Sequence, residues 1–376
     1  MNINYFMPAR VIMGDNCVVD NHPLLKSLGK KALILSGKNS ARANGSLADM
    51  TKALEANGQS YCLFDRVMSN PTTACVYEAA RTAVKEGCDF VAALGGGSPM
   101  DAAKAAAALA LNPVEESSLF TTVFTEALPV VAVPTTAGTG SEATPYAILT
   151  NDAAHTKTSL ASPVLFPRYA FLDARYTLSL SRETTINTAI DALTHAVEGA
   201  LSIKASPLTD ALARESIAVI AGCFGALGGS GDIGHETRRR LLYGSLLGGM
   251  VIANTGTTAV HALGYALTYH RHIDHGRANG LVFAEYLRAV EQRAGDSRRI
   301  PALVSALGVD SLDVFAAALD GLLGEKERFE DRELRDYAEQ ASGAKNIANG
   351  IVPFDREALL EILTKSLLPK KSRGRS

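Results

Sequence analysis

The sequence predicts a two-domain protein, in which an α/β domain is followed by an all-helical domain. Up to about residue 180, short apolar runs rich in β-branched residues alternate with helical stretches, which is typical of a parallel sheet covered by helices. After Leu180 this alternation stops and long amphipathic stretches take over. The length of 376 residues also favours roughly two domains over one.

Each strand and helix is predicted from the local pattern of apolar, polar and turn-forming residues. The predicted strands of the first domain are 31–36, 60–64, 89–95, 129–134 and 168–173, and its predicted helices are 45–57, 72–86 and 99–111. The long helical stretches of the second domain are 183–203, 207–227, 236–252 and 278–294. A turn-rich stretch at 174–182 predicts the boundary, so we expect domains at 1–180 and 181–376, with Ser181 as a helix N-cap. The glycine-rich stretch 225–234 predicts a flexible connection inside the helical domain.

Composition excludes several classes of function. With 20% charged residues and a net charge of −2, the chain offers no electrostatic reason to bind nucleic acid or a membrane surface. Only the end, 370–376, is basic, and we expect a solvated tail there without a function. The five cysteines are spread widely and form no CxxC pair, which indicates a reducing compartment. No signal peptide and no uncharged run of about 18 apolar residues is visible, so a cytoplasmic protein is expected.

Two loops rich in glycine and hydroxyl groups follow consecutive predicted strands. In the first, glycines 95–97 precede Ser98 and an alanine-rich helix, so a phosphate can approach bare backbone at a helix N-terminus. The second loop contains Thr135, Thr136, Gly138, Thr139, Gly140 and Ser141. Either loop alone could be an unliganded turn, but two of them at strand carboxyl ends favour a dinucleotide site. No Walker A pattern is present, which disfavours P-loop hydrolysis.

Four further residues suit a metal ion. Asp191 and His195 lie four apart in a helical pattern, so both project from one face. A helix beginning near Thr255 would present His261, and a loop would bring His275 back toward it. Together they could hold one divalent transition ion, although this spacing is less specific than HExxH and ordinary hydrogen-bonded histidines are the alternative.

Six motifs occur in a definite order along nearly the whole chain: FMPARVIMG, SNPTTACV, GGGSPMDAAK, PTTAGTGSE, DALTHAVE and HALGYALTYHRHIDHG. As a set they resemble the iron-containing, or group III, alcohol dehydrogenase family and its NADP-dependent branch. The resemblance implies a dehydroquinate synthase-like architecture, with a dinucleotide-binding α/β domain, a helical domain and a catalytic cleft between them. It also implies a homodimer.

The resemblance assigns roles to particular residues. It implies that Fe²⁺, or Zn²⁺ as the alternative, is bound by Asp191, His195, His261 and His275. It places on the cofactor Gly96, Gly97 and Ser98 at the pyrophosphate, Thr135, Thr136 and Thr139 along its length, and Asn70 and Lys157 near its ribose and phosphates. Many family members carry a further histidine where this chain has Tyr265, so the proton route is open among Tyr265, His270 and His272.

The loop after the first predicted strand bears on the choice of cofactor. NAD-using members resemble one another in an aspartate there that binds the adenosine ribose, whereas this chain has Ser36 followed by Gly37, Lys38, Asn39 and Ser40. A carboxylate would repel a 2′-phosphate and these residues would accommodate one, so NADP(H) is favoured over NAD(H). The alternative is that Lys38 points to solvent and the pocket does not discriminate.

The predicted reaction is reversible hydride transfer between NADP(H) and a primary alcohol or its aldehyde, with no catalytic residue beyond the metal site. The ion would lower the pKa of the alcohol or polarise the aldehyde carbonyl. The alternatives are an NAD-dependent glycerol or 1,3-propanediol dehydrogenase, a dehydroquinate synthase-like lyase that regenerates its cofactor, and a non-catalytic nucleotide-binding protein.

Overall fold

A computed structural model describes residues 3–295 and 298–368. The basic tail predicted at 370–376 lies outside these residues. The elements of the first part are β1 Arg10–Met13, α1 Cys17–Asp20, β2 Lys31–Ser36, α2 Ser40–Ala43, α3 Ser46–Ala56, β3 Ser60–Phe64, α4 Thr73–Glu86, β4 Phe90–Gly95, α5 Gly97–Leu111, β5 Val130–Pro134, β6 Tyr146–Asn151, β7 Thr156–Ala161 and β8 Tyr169–Leu172.

In this part of the chain, six strands form one parallel sheet in the order β1-β8-β5-β4-β2-β3. The central strands β4 and β5 are buried at every position, which explains their continuous apolar sequences. All five predicted strands are confirmed to within one residue at each end. The short edge strand β1 and the antiparallel pair β6–β7 are not among the predicted strands, and both are only partly buried, so their sequences lack a continuous apolar run.

The second part of the described chain is helical. Its helices are α6 Arg182–Ala200, α7 Pro207–Ala221, α8 Phe224–Gly228, α9 His235–Thr255, α10 Ala259–Arg271, α11 His275–Arg293, α12 Arg299–Leu307, α13 Leu312–Leu323, α14 Asp331–Ser342 and α15 Arg356–Leu367. The Ser181 side chain accepts a hydrogen bond from Thr184 N, which confirms the predicted N-cap. The exact domain boundaries, 1–180 and 181–376, stay a prediction.

Three expectations about the helical part were wrong. Residues 225–228 are not a flexible connection, because Phe224–Gly228 forms α8. The helix that carries His261 begins at Ala259 rather than near Thr255, because α9 runs to Thr255 and Gly256 then takes a φ of 69° that ends it. His275 does not lie on a loop but is the first residue of α11.

The stretch Pro207–Gly228 is long and apolar enough to cross a membrane by length and composition alone, with a mean hydropathy of 1.4. Two bent helix pairs, α9 with α10 and α12 with α13, would also qualify if each were one span. In the structure, α7 packs on α6 and α9 and buries Ala213, Ile217 and Ile220 in the core of the helical domain. The apolar face of α7 is therefore used in intramolecular packing.

Candidate active site

A large cleft lies between the carboxyl ends of the sheet strands and the helical domain. It has a volume of about 1380 Å³ and is lined by loops after β2, β3, β4 and β5 on one side, and by α6, α10 and α11 on the other. This volume exceeds the 300–1,000 Å³ of typical drug-sized pockets, so the cleft has room for a dinucleotide and a small substrate together.

The two glycine-rich loops meet at the N-terminus of α5. A Cβ built on Gly97 would lie 2.6 Å from Thr139 Cγ2, so a larger residue at position 97 would force the loops apart. A Cβ on Gly96 would lie 3.0 Å from Thr136 Oγ1, which is a tight contact. The first turn of the 15-residue α5 carries no side-chain cap, which leaves its N–H groups for an anion. Asn70, with a φ of 56°, donates its backbone N–H to Ser98 Oγ over 3.1 Å and brings a third loop to the same place.

Most of the predicted cofactor residues line this cleft: Gly37, Ser40, Asn70, Gly96, Gly97, Ser98, Thr136, Thr139 and Lys157. Three do not line it. Lys38 and Asn39 are exposed beyond its edge, and Thr135 is buried under the loop, where its N–H bonds to Gly95 O over 2.9 Å. Position 135 therefore contributes to the loop rather than to the cavity wall.

Lys157 projects from β7 toward the helical side of the cleft. Its ammonium lies 5.7 Å from the centre of the Tyr265 ring and makes no hydrogen bond or ion pair within the described residues. Burial lowers the pKa of Lys157, while the carboxylates of Asp101 and Asp191 act to raise it. This cation therefore faces both the cleft and the Asp191 carboxylate at its end.

The four predicted metal ligands converge at one end of the cleft. His195 Nε2 and His261 Nε2 are 2.9 Å apart, and Asp191 Oδ1 lies 3.6 Å from His261 Nε2, 3.8 Å from His275 Nε2 and 4.0 Å from His195 Nε2. The ligand atoms of Asp191, His261 and His275 all lie within 4.8 Å of one another and could hold a metal ion, whereas His195 falls outside this group. A tetrahedral ion bound at about 2.1 Å would space its ligand atoms by about 3.4 Å. Asp191, His261 and His275 fit one divalent cation, and His195 Nε2 lies next to two of them, at 2.9 Å from His261 Nε2 and 4.0 Å from Asp191 Oδ1.

The protonation states of three of the four predicted ligands suit a cation. The fourth, His261, is the exception: burial acts to lower its pKa, but the carboxylates of Glu198 and Asp191 raise it to about 9, so a cation would have to displace a proton there. Burial alone would raise the pKa of Asp191, but the facing histidines hold it well below its usual range, so the carboxylate is ionised. Burial lowers the pKa of His195 to about 4 and also lowers that of His275. These imidazoles are therefore neutral near pH 7 and have lone pairs to offer.

A buried glutamate orients His261. Glu198 Oε2 is bonded to His261 Nδ1, while Glu198 Oε1 accepts from Thr258 N at 2.8 Å, Thr258 Oγ1 at 2.7 Å and Val260 N at 3.0 Å. Because the ionised carboxylate can only accept, Nδ1 carries a proton, and Nε2 is the nitrogen that faces the cluster and would bind a cation once its own proton is displaced. This residue was missed, although it lies three positions after His195 on the same helix.

Asn279 was also missed, four residues after His275 on α11. Its Nδ2 donates to Asp191 Oδ1 over 3.0 Å and lies 3.2 Å from His261 Nε2 and 3.3 Å from His275 Nε2. It therefore contacts three of the four predicted ligand atoms. Its own position, one turn along the helix from a ligand, is the sequence signal that could have indicated it.

The three candidates for proton transfer occupy different environments. The Tyr265 ring stacks on His275, with ring centres 5.2 Å apart, and burial raises the pKa of its hydroxyl. His270 is bonded to Gln340 Oε1 at 2.9 Å and does not line the cleft. His272 is exposed and lines the cleft. Tyr265 thus covers the predicted metal ligand His275. Of the two histidines, His272 faces the cavity and His270 does not.

The sheet edge, the phosphate-type loops and the buried carboxylate–imidazole cluster define a two-domain enzyme of the nucleotide- and metal-dependent class. Residues 8–174 match the iron-containing alcohol dehydrogenase family, and residues 185–367 match the C-terminal domain of the same family. The chain belongs to the iron-containing alcohol dehydrogenase family and is an alcohol/aldehyde oxidoreductase.

Individual relatives agree with this assignment. Lactaldehyde reductase of Escherichia coli is 31% identical over 333 residues, which cover 87% of this chain and 81% of the relative. A 1,3-propanediol dehydrogenase of Citrobacter freundii is 33% identical over 76% of this chain and 73% of its own length. The crystal structure of an iron-containing alcohol dehydrogenase from Thermotoga maritima is 40% identical, covers 97% of this chain and 99% of its own, and superposes with a TM-score of 0.89.

Proposed function

We propose that this enzyme transfers hydride reversibly between NADP(H) and a primary alcohol or its aldehyde, with Fe²⁺ bound by Asp191, His195, His261 and His275. The observation that carries this proposal is the convergence of one carboxylate oxygen and three imidazole nitrogens at the end of a cleft large enough for a dinucleotide. Zn²⁺ suits the same donors, so the choice of iron rests on the family. We also infer a cytoplasmic homodimer.

A divalent cation at this site would supply Lewis-acid activation of the alcohol or carbonyl oxygen. The residues of the chain would bind the cofactor, neutralise charge and exclude water. The N-terminus of α5 and the threonines of the neighbouring loop would hold the cofactor phosphates, and the Lys157 ammonium would neutralise negative charge near the substrate end of the cleft. The Tyr265 ring, stacked on His275, keeps water from one side of the cluster.

The preference for NADP(H) rests on the loop after β2. Gly37 and Ser40 line the cleft, and residues 36–40 contain no carboxylate that would repel a 2′-phosphate. Lys38 is exposed at the edge of this loop, from where a long side chain can still approach a bound phosphate. The glycine also leaves space, since a Cβ at position 37 would meet nothing closer than Val67 O at 3.4 Å.

Gly37→Asp tests this preference. The wild-type protein, loaded with Fe²⁺ under anaerobic conditions, should show a higher kcat/KM with NADPH than with NADH in the reduction of a short aldehyde. The aspartate should lower the ratio of these two values by about tenfold or more, because a nearby like charge costs at least about 1.4 kcal/mol. Gly37→Ala is the matched control and should keep the ratio. A wild-type preference for NADH, or equal ratios in the two variants, would contradict the proposal.

A second candidate is a diol or hydroxyaldehyde substrate. The names of two relatives, lactaldehyde reductase and 1,3-propanediol dehydrogenase, favour this alternative for the substrate. Steady-state assays with lactaldehyde, 3-hydroxypropanal and butanal, each with NADPH and NADH, separate the two candidates. A net loss of NADPH absorbance during turnover also excludes the lyase alternative, because such an enzyme regenerates its cofactor.

A further inference from the structure

Two cysteines lie in contact far from the catalytic cleft. Cys62 is in the edge strand β3, and Cys88 lies two residues before Phe90, the first residue of β4. Their Sγ atoms are 3.4 Å apart, which is a direct thiol–thiol contact. Cys62 is partly exposed to solvent, whereas Cys88 is 8% exposed. One member of the pair is therefore accessible to a small reagent, and the other lies directly behind it.

The surroundings favour a thiolate on the accessible member. The hydrogen bond from the Cys88 thiol lowers the pKa of Cys62, and the Lys31 ammonium acts in the same direction. The hydrogen bond to Cys62 and burial together raise the pKa of Cys88, which stays a thiol. The Lys31 ammonium forms an ion pair with Glu86 Oε2 over 2.9 Å. Glu86 is the last residue of α4, the helix that lies between the two cysteines in sequence. A reactive thiolate beside a resolving thiol is the arrangement that peroxide-sensing cysteines share.

We propose that Cys62 and Cys88 form a redox-active dithiol that hydrogen peroxide converts into an intramolecular disulfide. The Cys62 thiolate attacks one oxygen of the peroxide, the O–O bond breaks, and Cys62 sulfenic acid forms as hydroxide leaves. Cys88 then attacks the Cys62 sulfur, so the S–S bond forms and the S–O bond breaks. The hydroxide released in the first step takes up a proton from solvent and becomes water. The hydroxyl group that leaves the Cys62 sulfur in the second step takes the thiol proton of Cys88 and becomes a second water. Two thiols lose two electrons and the peroxide gains them.

The site lies at the end of the sheet opposite the cofactor loops. Cys88 precedes β4, and Gly96 follows the carboxyl end of the same strand. With a rise of about 3.3 Å per residue, the two ends are separated by roughly 20 Å. Oxidation should therefore leave hydride transfer unchanged. A disulfide would instead tie the edge strand β3 to β4 through a closed loop that contains α4, and should raise the melting temperature.

Thiol counting and mass spectrometry on the full-length protein test this inference. The protein is loaded with Zn²⁺, which does not undergo redox chemistry, and treated with a small excess of hydrogen peroxide. The thiols that react after unfolding should fall from five to three, and the mass should decrease by the two hydrogens of one disulfide. Proteolysis should give one cross-linked peptide joining Cys62 to Cys88, and dithiothreitol should restore all five thiols.

Variants separate the two roles. Cys88→Ser should accumulate a sulfenic acid at position 62 that dimedone traps, and Cys62→Ser should keep its remaining thiols under the same treatment. Cys75→Ser is the matched control, because Cys75 is also partly exposed but burial raises its pKa. It should form the disulfide as the wild-type protein does. Five unmodified thiols in the treated wild-type protein, or a cross-link to any other cysteine, would overturn the proposal.

Discussion

Substitution of Glu198 by glutamine should weaken metal binding while the fold is retained. The carboxylate is fully buried, and its two oxygens have different partners. Oε2 is hydrogen-bonded to His261 Nδ1, and Oε1 accepts hydrogen bonds from the backbone N–H groups of Thr258 and Val260 at the start of α10. A glutamine amide oxygen can replace Oε1 toward Thr258 and Val260. Its NH₂ group then faces His261 Nδ1 and can only donate.

The size of the effect follows from the proton on His261. With an amide N–H facing Nδ1, this nitrogen has to accept, so the neutral imidazole carries its single proton on Nε2, which lies 3.6 Å from Asp191 Oδ1 in the cluster. A cation must then displace that proton or lose a ligand. Changes to such supporting hydrogen bonds typically cost 10- to 100-fold in metal affinity, or about 1.4 to 2.7 kcal/mol. We expect Glu198→Gln to fall in this range.

The assay is competition for Zn²⁺ between metal-free protein and a chromophoric chelator at pH 7. Thr258→Val is the matched control, because it removes a hydroxyl from Oε1 and leaves the Oε2 bond to His261. The control should lower the unfolding free energy by about 1 kcal/mol and keep metal affinity within about threefold. Equal Zn²⁺ affinity in Glu198→Gln and wild-type protein would refute the role assigned to Glu198.

Further predictions concern stability and the phosphate loop. Burial raises the pKa of Glu142 to about 7, so its contribution to stability is present below its usual pKa of 4.5 and is lost as the pH rises through 7. Glu142→Gln should therefore gain stability over wild type between pH 5 and pH 8, by up to about 3 kcal/mol in urea unfolding. Gly97→Ala, whose Cβ would lie 2.6 Å from Thr139 Cγ2, should cost about 1–3 kcal/mol and raise the KM for the cofactor. Gly225→Ala is its control, because nothing lies within 4 Å of the added Cβ.

Each of these predictions has an outcome that contradicts it. A stability difference in Glu142→Gln that does not change with pH would show that the buried carboxyl does not titrate in this range. An unchanged cofactor KM in Gly97→Ala, measured beside Gly225→Ala, would show that the loop adjusts without disturbing the phosphate site.

Much of the architecture could be predicted from sequence because strands and helices leave hydrophobic patterns that repeat over only a few residues. Fully buried strands give continuous apolar runs, and the four-residue spacing of Asp191 and His195 places both on one face of α6. The position of His261 relative to them depends on packing between helices, so only the family motifs indicated it. Glu198 was missed because its partner, His261 Nδ1, lies 63 residues away in sequence. Lys38 was predicted from charge, whereas its exposure depends on how the loop after β2 turns.

The ligands of the proposed metal site come from three different helices, since Asp191 and His195 lie on α6, His261 on α10 and His275 on α11. An ion bound there would cross-link the interior of the helical domain and would bind only the folded chain. By mass action, free metal at 100 times the dissociation constant adds about 2.7 kcal/mol to the folding free energy. Iron supply in the cell would then set the lifetime of this enzyme against unfolding and proteolysis as well as its rate of turnover.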